Sequence, residues 1–259
     1  MASQEANLPF IRNLASSDRK LRTTSLESLR AFLSAQHTLT PTDALKLWKG
    51  LFYAMWMCDR PIPQQNLAAE LANLLAPSTS SSSSSTETGV VHEECASAWM
   101  RGFWEIISTQ WTTGIDVLRM EKFLLLVRRF VCASFAWVRV GGYKDGRVRA
   151  LLEVLGEWPL EKEGELDRVP LGLRLHVIDV WVDEVERSRV LAEVEEKEGA
   201  RKVVDGVGDL VRALTKGFPS KPLRKKAGDS LEDERLPWYV PPKEDDEGDD
   251  DDGWAGFQD

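Results

Sequence analysis

Apolar residues recur at intervals of three or four along most of the chain, the spacing that places them on one face of an α-helix. The spacing predicts helices over residues 18–36, 61–75, 92–111 and 145–155, from 41, from 114 to about 141, from 170 and from about 198. No stretch alternates apolar and polar residues for long enough to predict a sheet. The pattern therefore predicts an all-α fold.

The helix that begins at Pro41 has the most apolar sequence of the chain. Eleven of the fourteen residues from Leu45 to Cys58 are apolar, so we expect it to be buried on most sides. Thr40 is placed to cap it, with Pro41 at the first helical position. The run is shorter than the roughly 20 residues of a membrane span, which makes it the predicted central helix of the core.

Long helices that arrive in pairs are typical of irregular stacked, solenoid-like (HEAT-like) domains, although no clean sequence repeat is visible. We predict such a domain over residues 1–217, interrupted by a flexible Ser-rich loop at 78–89. Residues 218–259 turn polar, first basic and then acidic, and predict an extended or disordered tail. We expect no membrane span, no secretory signal and an intracellular location.

The acidic charge is concentrated at the C-terminus. Residues 243–259 contain nine acidic residues and one lysine, a local charge of −8 within a total of −9. The rest of the chain carries 32 basic and 33 acidic residues, a net charge of −1. The body can therefore present a basic face to a polyanion despite an overall acidic composition.

Several basic clusters are candidate contacts with RNA phosphates. Each has the alternative of a solvated helix face or an internal ion pair. The last run, KPLRKK, also resembles a nuclear-import signal. The candidates are Arg19, Lys20, Arg22, Arg128, Arg129, Arg147, Arg149, Lys221, Arg224, Lys225 and Lys226.

Aromatic residues in the polar tail are candidate anchors for a partner groove. They are Trp238, Tyr239, Trp254 and Phe257. The alternative is that they have no role. The tryptophans inside the apolar helices, such as Trp48 and Trp104, are expected to serve the core.

The sequence contains no motif that is typical of a catalytic or cofactor-binding site. His92-Glu93-Glu94-Cys95 lacks a second histidine, so it predicts no metal site. No phosphate-binding glycine loop and no nucleophile–base pair is present. We predict no enzymatic activity, no cofactor and no small-molecule substrate, and we expect Cys58, Cys95 and Cys132 to be reduced core thiols.

Four segments resemble, in order, the eukaryotic nucleolar ribosomal RNA-processing protein 1 family. They are Phe10–Ser34, Ala44–Leu75, Phe103–Phe130 and Val169–Arg187, within a match of roughly residues 7 to 215. The motif residues include Trp48, Asp59, Gln64, Gln65, Asp116 and Arg119, which are either structural or interfacial.

The resemblance implies a non-enzymatic assembly factor of the large ribosomal subunit in the nucleus and nucleolus. Its implied partners are pre-ribosomal RNA and other assembly factors of the Brix-domain and WD-repeat kinds. The alternative is a general helical protein–protein adaptor that does not touch RNA.

Overall fold

The computed structural model of this chain describes residues 13–14, 16, 18–76, 89–216 and 218–241. Most of the predicted Ser-rich loop and the acidic tail, with Trp254 and Phe257, lie outside the described residues. Within the described ranges the secondary structure is helical, and no strand occurs there. The all-α prediction is confirmed.

Nine α-helices lie in residues 18–76, 89–216 and 218–241. They are α1 (Arg19–Ala35), α2 (Pro41–Trp56), α3 (Pro61–Asn73), α4 (Glu93–Trp111), α5 (Met120–Val140), α6 (Asp145–Glu157), α7 (Leu171–Arg187), α8 (Glu198–Thr215) and α9 (Lys221–Leu231). Two 3₁₀ turns, Val117–Arg119 and Leu191–Glu193, precede α5 and α8.

The helix starts follow local capping chemistry. Thr40 Oγ1 accepts a hydrogen bond from the Asp43 backbone N–H at 3.1 Å, and Pro41 is the first residue of α2, as predicted. The helix predicted from Gly114 begins later, because Asp116 first caps the 3₁₀ turn Val117–Arg119. At the other end of α5, Gly142 adopts φ 68°, the left-handed conformation that glycine tolerates.

Alternate helices stack into two layers. Helices α2, α4, α6 and α8 pack in sequence in one layer, and α3, α5, α7 and α9 pack in the other. Pairs such as α2–α3, α5–α6 and α8–α9 connect the layers. This i, i+2 stacking is the solenoid-like arrangement that the sequence predicted.

Aromatic rings form the centre of the core. The Trp48 ring lies 4.7 Å from the Trp99 ring and 4.9 Å from the Phe103 ring, and Phe103 stacks on Phe130 at 3.7 Å between centroids. The Trp48 indole Nε1 also donates to the Trp99 carbonyl at 2.9 Å. Because α2, α4 and α5 all contribute rings, this cluster joins the two layers.

Residues 218–241 are folded, so the prediction that they form an extended or disordered tail is wrong. They form α9 and a following turn, which pack on α7 and α8. Leu223, Ala227 and Leu236 are buried there. The basic composition concealed an apolar spacing of four residues, so the boundary predicted at 217 falls inside the folded body.

Candidate nucleic-acid interface

An exposed stripe on α2 combines two lysines with an aromatic ring. Lys46, Lys49 and Tyr53 are all exposed and are spaced by three and four residues, so they share one face of the helix. Neither lysine makes an ion pair with a described residue. The Tyr53 ring is 40% exposed and its edge contacts Phe52 at 5.5 Å between centroids. We call Lys46, Lys49 and Tyr53 the α2 stripe.

The core holds this stripe in place from behind. Trp48, between the two lysines in sequence, is only 2% exposed and points into the aromatic cluster. At the end of α2, the buried Lys122 side chain donates to the carbonyls of Trp56 and Cys58 at 2.6 and 2.9 Å. Burial lowers the pKa of Lys122, and the nearby Asp59 carboxylate opposes that shift. The stripe therefore lies on a helix that Trp48 and Lys122 join to the core.

Four of the predicted phosphate contacts make internal bonds within the described residues. Arg128 pairs with the buried Glu184 and, at 2.9 Å, with Asp183. Arg147 pairs with Glu93 at 2.8 Å and donates to the Trp137 carbonyl at 2.8 Å.

The other two of these four residues, Arg224 and Lys226, belong to α9. Arg224 donates to the Phe218 carbonyl, and Lys226 pairs with Asp179 of α7. Arg128, Arg147 and Lys226 each join two helices, whereas Arg224 bonds to the residues just before its own helix. Their contact with RNA stays a prediction.

The other predicted cations differ in exposure. Lys20, Arg149, Lys221 and Lys225 are exposed and make no ion pair with residues in the described ranges. Arg22 donates to the Ser16 carbonyl at 2.7 Å, and Arg129 is half-buried. The Arg19 side chain is not among the parts of the chain that the structure describes. The structure does not bring these cations into one cluster.

Trp238 packs against its own chain. Its indole Nε1 donates to the Leu231 carbonyl at 2.9 Å, and the Arg212 guanidinium lies 5.6 Å from the ring centroid. A Cβ added to Gly208 would lie 2.4 Å from the ring, so only glycine permits this close approach. Tyr239, next to it, is exposed. The prediction of Trp238 as an anchor in a disordered segment is corrected by this docking.

The motif residues of the family resemblance are mostly structural. Trp48 lies in the core, and Gln64 Nε2 donates to the Cys58 carbonyl at 2.8 Å. Asp116 caps its turn by accepting from the Arg119 backbone N–H at 3.1 Å. Asp59 pairs with Lys122 at 3.5 Å. Gln65 is exposed and is the exception.

The cysteines and His176 do not form a reactive centre. All three cysteines are buried free thiols, as predicted. Burial raises the pKa of the Cys132 thiol to about 12, so this thiol is protonated at neutral pH. The His176 Nε2 bonds to the Leu124 carbonyl at 3.0 Å, and burial lowers the pKa of its imidazole.

An apolar groove of about 610 Å³ runs between α1 and α3. Leu26, Ile62 and Leu67 line it, with Arg22 and Arg60 among its polar residues. Its lining carries a single carboxylate, Glu70, and no histidine. Such a lining suits an apolar segment of another molecule better than acid–base chemistry.

Sequence reasoning missed the α2 stripe because the helix was interpreted as apolar nearly all round. The signal was present in the i, i+3, i+7 spacing of Lys46, Lys49 and Tyr53. Trp48 and Tyr53 are both aromatic residues in an apolar run, and only packing distinguishes the buried ring from the exposed one.

The chain is similar to known ribosomal RNA-processing proteins. Ribosomal RNA processing protein 1 homolog B of Homo sapiens is 30% identical over 191 residues, which are 72% of this chain and 23% of that protein. Homolog A of Mus musculus is 28% identical over 69% of this chain and 34% of its own length. The Drosophila melanogaster homolog is 27% identical over 73% of this chain and 25% of its own length.

The chain spans about a quarter to a third of the length of these relatives. The model of a family described as "Nucleolar protein, Nop52" matches residues 5–255, almost the whole chain. That description agrees with the nucleolar location expected from the sequence. The chain belongs to the Nop52 family of nucleolar proteins.

Proposed function

We propose that the protein is a non-enzymatic ribosome biogenesis factor, a helical scaffold in nucleolar precursors of the large ribosomal subunit. The family match and the names of the relatives support a role in ribosomal RNA processing. The two-layer helical stack supports the scaffold role, because stacked helices present extended surfaces to partners. The expected partners are pre-ribosomal RNA and assembly factors of the Brix-domain and WD-repeat kinds.

The α2 stripe is the observation that supports direct contact with RNA. Two exposed lysines that pair with no carboxylate of the described residues are available to phosphates. An exposed tyrosine one turn further along offers a face on which an unpaired base stacks. Lysines beside an aromatic ring are typical of single-strand recognition.

Depletion of the protein tests the proposed function directly. We expect large-subunit precursor RNA to accumulate when the protein is removed and wild-type protein to restore processing, measured by hybridisation to pre-rRNA spacers. In sucrose gradients the protein should co-sediment with large-subunit precursors. Sedimentation only as free protein, with normal pre-rRNA, would contradict the proposal.

Variants of the α2 stripe separate phosphate from base contacts. For an unstructured single-stranded RNA, Lys46→Ala/Lys49→Ala should lower affinity and reduce the slope of log affinity against log salt by about 1.4, roughly 0.7 per phosphate. Tyr53→Ala should weaken binding by about 1–3 kcal/mol with an unchanged slope, because stacking involves no counterion. Fluorescence anisotropy across a salt series measures both.

The matched control is Lys197→Ala/Lys202→Ala. These lysines are also exposed, but they pair with Glu193 and Glu198 at 2.9 and 3.0 Å. This variant should bind RNA as the wild type does. An equal loss in both double variants would mean that RNA responds to overall charge rather than to the stripe.

A protein–protein adaptor that never touches RNA is the second candidate. The groove between α1 and α3 supports it, together with Val117 and Leu118, which are 83% and 90% exposed. Large apolar side chains this exposed are typical of partner interfaces. RNA crosslinking in native particles discriminates: crosslinks at the α2 stripe favour the first candidate, and complete absence of RNA crosslinks favours the adaptor.

A further inference from the structure

We propose that His37, His92 and Glu94 form a zinc-binding site that joins the end of α1 to the start of α4. The ligand atoms of these three side chains all lie within 4.8 Å of one another. His37 follows α1, and His92 and Glu94 lie at the beginning of α4, so the site connects segments 55 residues apart in sequence. The second histidine that the sequence around His92 lacks is supplied by the fold.

The donor set fits zinc. Two imidazoles and one carboxylate, with water in the fourth position, form a known tetrahedral Zn²⁺ environment. Bond lengths of about 2.0–2.1 Å place tetrahedral donor atoms roughly 3.4 Å apart, so the present spacing requires shifts of about 1 Å. His37 and Glu94 are exposed, and rotation of their side chains supplies that shift.

The hydrogen bond of His92 orients its ring as a metal ligand. His92 Nε2 lies 2.8 Å from the Ser34 carbonyl oxygen. Because a carbonyl only accepts, Nε2 carries the proton and Nδ1 keeps the lone pair that a metal needs. A backbone carbonyl that accepts from the second ring nitrogen is the usual outer contact of a metal-bound histidine. The His37 and His92 ring centroids are 4.1 Å apart.

The surroundings do not oppose a cation. Arg147 lines the same cleft as His92 and Glu94, but its charge is compensated by Glu93 at 2.8 Å. Lys144 also lies near Glu93, at 3.9 Å. The cleft is open to solvent beside Ser34 and Glu94, which leaves room for the water ligand. Glu94 therefore remains available as the anionic ligand.

Zinc at this position would hold α1 against the stack. Helix α1 precedes the stack and belongs to neither layer, although Leu29 and Leu33 are buried. A bound ion stabilises the folded state in proportion to its occupancy, because the unfolded chain lacks the assembled ligands. The site would thus be a structural clamp.

Zinc titration of the full chain, without an affinity tag, tests the site. We expect one equivalent of Zn²⁺ to bind with micromolar affinity by calorimetry and to raise the melting temperature. Co²⁺ should give the visible absorption of a tetrahedral site. His37→Ala should weaken binding at least about tenfold and remove the thermal effect. Because His37 is exposed, this variant should stay folded by circular dichroism.

The third histidine of the chain provides the control. His176→Asn should bind Zn²⁺ as the wild type does, since His176 bonds to the Leu124 carbonyl in the other layer. No saturable binding in the micromolar range would overturn the proposal. Binding that survives His37→Ala would also overturn it, because the ion would then be held elsewhere, for example by the acidic residues of 243–259.

Discussion

Replacing Trp48 by alanine is expected to lower the free energy of unfolding by about 3–5 kcal/mol, the usual cost of truncating a large buried aromatic side chain. The indole is 2% exposed, lies within 5.4 Å of three other rings and donates a hydrogen bond to the Trp99 carbonyl. The variant loses the ring contacts and leaves that carbonyl without the indole donor. Urea unfolding followed by circular dichroism measures the change.

Tyr53→Ala on the same helix is the matched control for Trp48→Ala. Its ring is 40% exposed, so we expect a change within about 0.5 kcal/mol. The two substitutions should thus change different properties. Trp48→Ala should lower stability, and Tyr53→Ala should lower RNA affinity. A cost below about 1 kcal/mol for Trp48→Ala would show that the aromatic cluster is not the centre of the core.

Replacing Arg174 by methionine is expected to cost about 3–5 kcal/mol at neutral pH, because it leaves a buried carboxylate without its partner. Arg174 is 0% exposed and pairs with Glu161, whose side chain is 8% exposed, at 2.7 Å. The guanidinium also donates to the carbonyls of Val169 and Glu161 and lies 5.1 Å from the Phe218 ring. This one side chain connects the segment before α7 to α7 and to Phe218, which lies just before α9.

The pH dependence follows from the Glu161 carboxyl. Burial raises its pKa, but hydrogen bonds from Arg174 and from the backbone N–H groups of Glu163 and Glu165 outweigh burial, so the pKa lies below its ordinary value. The stabilisation is therefore present above the unfolded-state pKa of about 4.3 and is lost as the pH falls through the folded-state pKa. Arg174→Met should differ most from the wild type at neutral pH and less in acid.

The double variant Arg174→Met/Glu161→Gln separates charge burial from packing. Removing both charges should be less costly than Arg174→Met alone, since no unpaired carboxylate remains. Unfolding midpoints of the wild type, Arg174→Met and the double variant at neutral and acidic pH measure this difference. Equal costs for the single and double variants would mean that Arg174 acts through packing alone.

The charged composition of two segments hid the fact that both are folded, which depends on the spacing of their apolar residues and on packing. The interval 159–167 is polar in sequence, yet Glu161 is buried there against Arg174. The run KPLRKK was assigned to a disordered tail, although Leu223, Ala227 and Leu231 are spaced for a helix. In both cases a charged sequence folds because its charges find partners, and pairing between residues 13 and 47 positions apart leaves no local pattern.

The sequence by itself determined the helical class, the positions of eight helices, the family and the buried role of Trp48. These depend on local hydrophobic periodicity and on local sequence motifs. The tertiary structure decided which cations pair with carboxylates: Arg128, Arg147 and Lys226 are held in ion pairs, whereas Lys46 and Lys49 are exposed and pair with none of the residues that the structure describes. It also brought His37 to His92. Ion pairs and metal ligands depend on distances between segments far apart in sequence, and only folding sets those distances.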